Sequence, residues 1–161
     1  MKKKLLVLLV TAALALVALP MAAFADDSVA AIGDQKYPTL QKAVDDAPDN
    51  TQTTITLLGD ASGDGVIVPS SKIITFDLAS FTYTVSGKTV GSSGTETNGF
   101  QLLKGSTVAF KNGTINAGKA KIVIQNYANL TLEDMQIYAE NQVEGEDYAL
   151  GFNNGTIVIK G

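Results

Sequence analysis

The chain repeats itself, and the spacing of the repeat leaves few folds open. Residues 105–115 read GSTVAFKNGTI, and residues 127–137 read YANLTLEDMQI. An offset of 22 lays Leu102 on Ile124, Val108 on Leu130, Phe110 on Leu132 and Ile115 on Ile137. The polar pair Lys111-Asn112 falls on Glu133-Asp134. An offset of 27 then lays Leu130 and Leu132 on Ile157 and Ile159, and Asn126 on Asn153. The added length fits the acidic loop ENQVEGED, residues 140–147. A β-rich phrase recurring about every 22 residues, with loops absorbing the irregularity, is the pattern of a solenoid. Its short strands pair from coil to coil, and alternate apolar side chains stack inward.

The stretches before the repeat agree. TTITLL (53–58), GVIV (65–68), KIITFDL (72–78) and FTYTV (81–85) are short β-prone runs separated by Gly, Asp, Ser and Pro. Residues 86–99, SGKTVGSSGTETNG, read as a polar, Gly-rich loop. The expected inward set is Ile55, Leu57, Ile67, Ile73, Phe76, Leu78, Leu102, Val108, Phe110, Ile115, Ile122, Ile124, Leu130, Leu132, Ile137, Ile157 and Ile159. The alternative is a β-sandwich, whose hairpins the Asn-Gly pairs at 98–99, 112–113 and 154–155 would mark. Asn112-Gly113 and Asn154-Gly155 sit at different phases of the repeat, which favours the solenoid.

One helix is expected. After the β-prone VAAI (29–32) and a turn at GDQ, Thr39 stands as an N-cap. Leu40, Ala43, Val44 and Ala47 then form one apolar stripe at helical spacing, and Pro48 ends it. Residues 26–52 are therefore an N-terminal strand and amphipathic helix, and residues 53–161 are the coils. A first coil exposes an unpaired strand edge and an open core, which this stripe is suited to cover. The final TIVIKG reads as a strand with no such cover, so the coils are expected to be incomplete at Gly161, or covered by another domain or subunit.

Residues 1–25 read as a secretory leader: Lys2, Lys3 and Lys4, an apolar run from Leu5 to Leu19, and Ala23-Phe24-Ala25 as the cleavage site. The mature chain would begin at Asp26. The apolar run is shorter than the ~20 residues of a spanning helix, so no membrane span is expected after its removal. Without the three leader lysines, 16 carboxylates face nine lysines, a net charge of about −7. Such a surface attracts neither nucleic acid nor anionic lipid. The chain has no His, no Cys and no Trp, and all its basic residues are Lys. That excludes Ser-His-Asp, Cys-His and His/Cys-zinc chemistry, and the bidentate Arg clamp. No cofactor is expected.

The opening GDQKYPTLQKAVDDAPDNTQTTITLLGD, with VIVPSSKIITFDLASFTYTV after it, resembles right-handed parallel β-helix proteins of the pectin-lyase-like superfamily. The closer likeness is to its bacterial secreted and surface proteins, whose openings run TITLL-x-D and then ITLDLNGHTI. The LNGHTI that closes that phrase appears here as LASFTY, residues 78–83. The resemblance implies an all-β, right-handed parallel β-helix with a short N-terminal capping helix. It implies no catalytic residue. Pectate lyases use an Arg base, polygalacturonases a His, and pectin methylesterases an Arg on coils beyond this length.

Carboxylates are the remaining candidates. Glycoside hydrolysis needs two of them about 5–9 Å apart across a cleft, and Asp77, Glu133 and Asp134 are the residues to consider. Against that stands a solvated corner of alternating charge. Asp60 and Asp64 in DASGDG, and Glu144, Glu146 and Asp147 in the acidic loop, are weak divalent-cation candidates without the ligand count of a calcium loop. Tyr127 and Tyr138 are candidate sugar platforms. The function expected is a secreted or cell-surface, non-catalytic scaffold or adhesion module, with extracellular polysaccharide or a host surface as its partner. The alternative is the N-terminal part of a polysaccharide-active enzyme with its catalytic coils beyond Gly161.

Overall fold

The computed structural model describes residues 27–139, 148–152 and 155–161. The expected leader, its junction at Ala25 and Asp26, the loop residues Glu144, Glu146 and Asp147, and Asn153 lie outside these residues. Of the described residues, 58% are in strands and 6% in helix. A hairpin of β1 (Ala30–Ile32) and β2 (Gln35–Tyr37) leads into α1 (Leu40–Asp46). There follow β3 (Gln52–Leu57), β4 (Ala61–Gly63), β5 (Val66–Val68), β6 (Ile73–Asp77), β7 (Thr82–Val85) and β8 (Val90–Ser92). The coil is completed by β9 (Thr95–Leu102), β10 (Thr107–Asn116), β11 (Ile122–Asn126), β12 (Asn129–Tyr138), β13 (Tyr148–Phe152) and β14 (Thr156–Lys160).

These strands wind into a parallel β-helix of about four turns. One wall stacks β3, β6, β10, β12 and β14; the other stacks β5, β9, β11 and β13, all in parallel. On the first wall the repeat read from sequence is the register. Val108 faces Leu130, Phe110 faces Leu132 and Ile115 faces Ile137. Leu130 and Leu132 face Ile157 and Ile159. Towards the N-terminus, Phe110 continues through Phe76 to Ile55. Phe76 and Phe110 stack with centroids 4.8 Å apart, and Phe100 from the opposite wall meets them edge-on at 5.8 and 5.0 Å. Each of these rings is fully buried. Burial stabilises by ~1.5–3 kcal/mol per side chain, and the ring pairs add ~0.5–1.5 kcal/mol each.

The second wall departs from the expected register. Phe100 faces Ile124 and Leu102 faces Asn126, an offset of 24. The corner between β9 and β10, residues 103–106, is two residues longer than that between β11 and β12, residues 127–128. Leu102 therefore does not meet Ile124. Asn126 also faces Phe152 rather than Asn153. It is fully buried, with both ends of its amide bonded: Nδ2 donates to the Thr156 carbonyl at 2.9 Å, and Oδ1 accepts from the Ala128 N–H at 2.9 Å.

Four expected inward residues are not enclosed, and Ile137 and Ile157 are only half-buried against the core. Val66 and Val68 are buried, with half-buried Ile67 between them, and Ile74 is buried in place of Ile73. In runs of consecutive β-branched residues, hydrophobicity carries no period to say which face is inside. Val123 and Ile124 are both buried, so the alternation breaks there and Ile122 lines an outer groove. Ile159 holds its place in the register but is 70% exposed. Residues 86–99 are not simply a loop, because β8 and β9 pair antiparallel from Val90–Asn98 to Ser92–Thr95. Their polar composition hides the hairpin. Asn112-Gly113 makes no hairpin; it lies within β10, with Asn112 at φ 58.

The N-terminal cover forms as the stripe predicts. The Thr39 side chain accepts from the Lys42 N–H, and Leu40, Ala43 and Val44 are buried. β1 pairs antiparallel with β3, covering the edge of the first wall. The second wall's first strand, β5, is met by a side chain. Ile67 N–H donates to Gln41 Oε1 at 2.7 Å, and Gln41 Nε2 donates to the Ile67 carbonyl at 3.1 Å. One amide thus stands in for a neighbouring strand. At the helix C-terminus, buried Lys72 donates to the Ala47 carbonyl and pairs with Asp49 at 3.0 Å, where a cation complements the helix dipole.

Candidate functional site

The carboxylates singled out by sequence lie along one corner of the coil. Ala79 (φ 49), Ser80 (φ 70), Asn112 (φ 58) and Asp134 (φ 51) adopt left-handed backbone there, one sharp bend on each of three coils. Asn and Asp tolerate that region well, which is why Asn112 and Asp134 recur at the same phase. The bends frame an open groove of about 590 Å³. Asp77, Asn112, Thr114, Asp134 and Gln136 line it. Glu133 does not; its carboxylate lies 3.9 Å from Lys160 Nζ. The structure thus gathers two of the three expected carboxylates and directs the third elsewhere.

Asp77 is held in place rather than poised for chemistry. Lys111 pairs with it at 3.1 Å, Asn112 Nδ2 donates at 3.1 Å, and the Ala79 N–H donates at 3.1 Å. Burial pushes its pKa up, but these three donors outweigh burial and leave it below the ordinary carboxylate value. A glycosidase acid needs the opposite shift. The strand registers place Asp77 beside Lys111, Lys111 beside Glu133, and Glu133 beside Lys160. This is a column of alternating charge with one member on each coil.

Of the divalent-cation candidates, the two within the described residues, Asp60 and Asp64, each accept from a backbone N–H. Asp60 accepts from the Thr82 N–H at 2.8 Å, and Asp64 Oδ1 accepts from the Lys88 N–H at 2.8 Å. Each ties the β4 segment to the coil above it. Tyr83 adds a third tie, donating to the Asp64 carbonyl at 2.7 Å. Burial, and then the nearby Asp64 charge, push the Tyr83 hydroxyl up to about 12. Among the described residues, no three metal-ligating side chains gather.

The two tyrosines part company. Tyr138 is 45% exposed, with its hydroxyl on Gln136. Half-buried Tyr127 borders a second groove, on the outer flank of the second wall. Asn98, Gln101 and Gln125 line that groove with Ile122 and the hydroxyls of Ser92, Thr95 and Thr97. None of these three amides was anticipated. At the true offset of 24, Gln101 and Gln125 occupy the same phase, and that recurrence was the available signal.

The chain matches no protein-family model, no curated protein and no solved structure. Its chemistry therefore rests on its own surface, where the corner groove and the flank groove differ in character. The corner groove carries Asp77, fixed by its pairing, together with Asp134, and the flank groove carries uncharged amides and hydroxyls. Among the described residues, no helix is long and apolar enough to cross a membrane.

Proposed function

We propose that this chain is a secreted or cell-surface, non-catalytic β-helix scaffold that contacts extracellular glycan. The observation that carries this reading is the corner column. Asp77 is tied to Lys111 and Asn112 and shifted towards its ionised form, which unfits it as the acid of a hydrolytic pair, and Glu133 turns to Lys160. The leader, and the likeness of the opening to bacterial surface proteins of the pectin-lyase-like superfamily, support export. The parallel coil agrees with that likeness at the level of fold.

Two measurements test the reading. The full chain is expressed with its leader in a bacterial host, and the protein in the medium is expected to begin at Asp26. That protein is then incubated with soluble polysaccharides, with the expectation of retention but no new reducing ends. Release of reducing ends that disappears in Asp77→Asn would overturn the scaffold reading and favour a polysaccharide-active enzyme. Retention of the protein in the cytoplasm would overturn the export.

A further inference from the structure

The flank groove carries a sharper statement, which rests on the glycan-contact reading above. We propose that the groove across β8, β9 and β11 is a subsite for one unit of an uncharged, hydroxyl-rich polysaccharide, with Asn98, Gln101 and Gln125 as its fixed amide contacts.

Four observations lead there. First, the three amides are only 5%, 7% and 6% exposed, yet all line an open groove. Packing holds them before any ligand arrives, so little side-chain freedom is lost on binding. Each amide presents two donors and an acceptor, which suits hydroxyls that both donate and accept. Second, Gln101 and Gln125 are in register on adjacent coils, so the amides repeat at the coil spacing of about 4.8 Å. Third, among the described residues no charged side chain lines the groove. A uronate or sulfated unit would bring an anion to a lining without a described cation, in a chain of net negative charge. The corner groove, with Asp77 and Asp134, is still less suited to an anion. Fourth, Tyr127 and Ile122 supply apolar surface beside the amides, where the C–H face of a sugar ring can pack. At about 190 Å³ the groove is smaller than a pocket for a whole ligand. It suits one unit of a longer chain lying along the flank.

Gly151 offers a test that removes no contact. A Cβ there would lie 2.4 Å from Gln125 Oε1, so Gly151→Ala displaces the amide while keeping its chemistry. The experiment is calorimetric titration of the full secreted chain with a soluble β-glucan, a galactomannan and polygalacturonate. Wild type is expected to bind a neutral polymer and not polygalacturonate. Gln125→Ala and Gly151→Ala are each expected to weaken that binding at least tenfold, and Thr95→Val, at an exposed position, about threefold. Leu58→Ala, at an exposed position outside the groove lining, should leave it unchanged. Thermal melts confirm folding, and if Gln125→Ala does not fold, Gly151→Ala and Thr95→Val decide. Neutral binding that all flank variants retain would overturn the subsite and leave the scaffold reading standing. Binding to polygalacturonate alone, or to none of the three, would overturn the subsite. Release of reducing ends would overturn the scaffold reading wherever the polymer bound.

Discussion

The two ends of the described coil differ in what lies over them. Wherever a coil ends, a strand edge and the end of the apolar column both call for cover. At the first coil, β1 pairs with β3, the Gln41 amide occupies β5, and Leu40, Ala43 and Val44 lie over the column. At β14, Val158 and Ile159 are 49% and 70% exposed, although Ile159 continues the column of Phe110 and Leu132. A residue's place in the register therefore does not by itself bury it. Burial depends on what lies over the next coil, and three distinct devices are needed to supply that at the N-terminal end.

The contrast is sharpest if the same change is made at both ends. Val44→Asp places a carboxylate in a fully buried site and is expected to cost about 3–5 kcal/mol, or the fold itself. Ile159→Asp should change stability by less than about 0.5 kcal/mol. Equal losses in thermal or denaturant melts would erase the distinction between the ends. Next in size is Lys72→Met, which leaves the Ala47 carbonyl without its donor and removes the Lys72 pairing from Asp49, at about 1–3 kcal/mol. Gln41→Ala uncovers the Ile67 N–H and carbonyl at a partly buried position, for about 1–2 kcal/mol. Its local signature is faster amide hydrogen exchange at Ile67.

Acid should loosen the first coils. Lys72, then Ser71, hold Asp49 below its ordinary value, and Asp77 is also lowered. For a carboxylate depressed by folding, the stabilisation is present above the unfolded pKa of ~3.9 and is lost as pH falls through the folded value. Unfolding below about pH 4, followed by circular dichroism, should therefore be less steep in Asp77→Asn than in wild type; an unchanged slope would remove Asp77 from the account. The smallest stability effect belongs to Val158→Lys with Ile159→Lys. Melting should hold while self-association of the chain, measured by light scattering, falls, because charge blunts an exposed strand edge.

The first wall was legible in the sequence because its repeats are in simple phase. Val108 over Leu130 and Phe110 over Leu132 follow from counting alone. So does the capping stripe of Leu40, Ala43 and Val44. The second wall was not legible, since a corner longer by two residues changes its offset without altering its composition. That shift concealed the pairing of Gln101 with Gln125, and with it the flank groove. Asp60 and Asp64 were visible as acids, but their backbone partners lie 22 and 24 residues away, beyond any local pattern. At Ile67 and Ile73 the alternation was ambiguous in the letters themselves.

The corner column has a consequence for how such a coil can lengthen. Its signs run minus, plus, minus, plus through Asp77, Lys111, Glu133 and Lys160. Duplicating a single coil would set like charge against like at one junction, whereas duplicating two together would keep the alternation. Each exposed pair is worth only about 0–1 kcal/mol, so the rule is a bias rather than a barrier. The column acts as a parity check, making growth by two coils cheaper than growth by one.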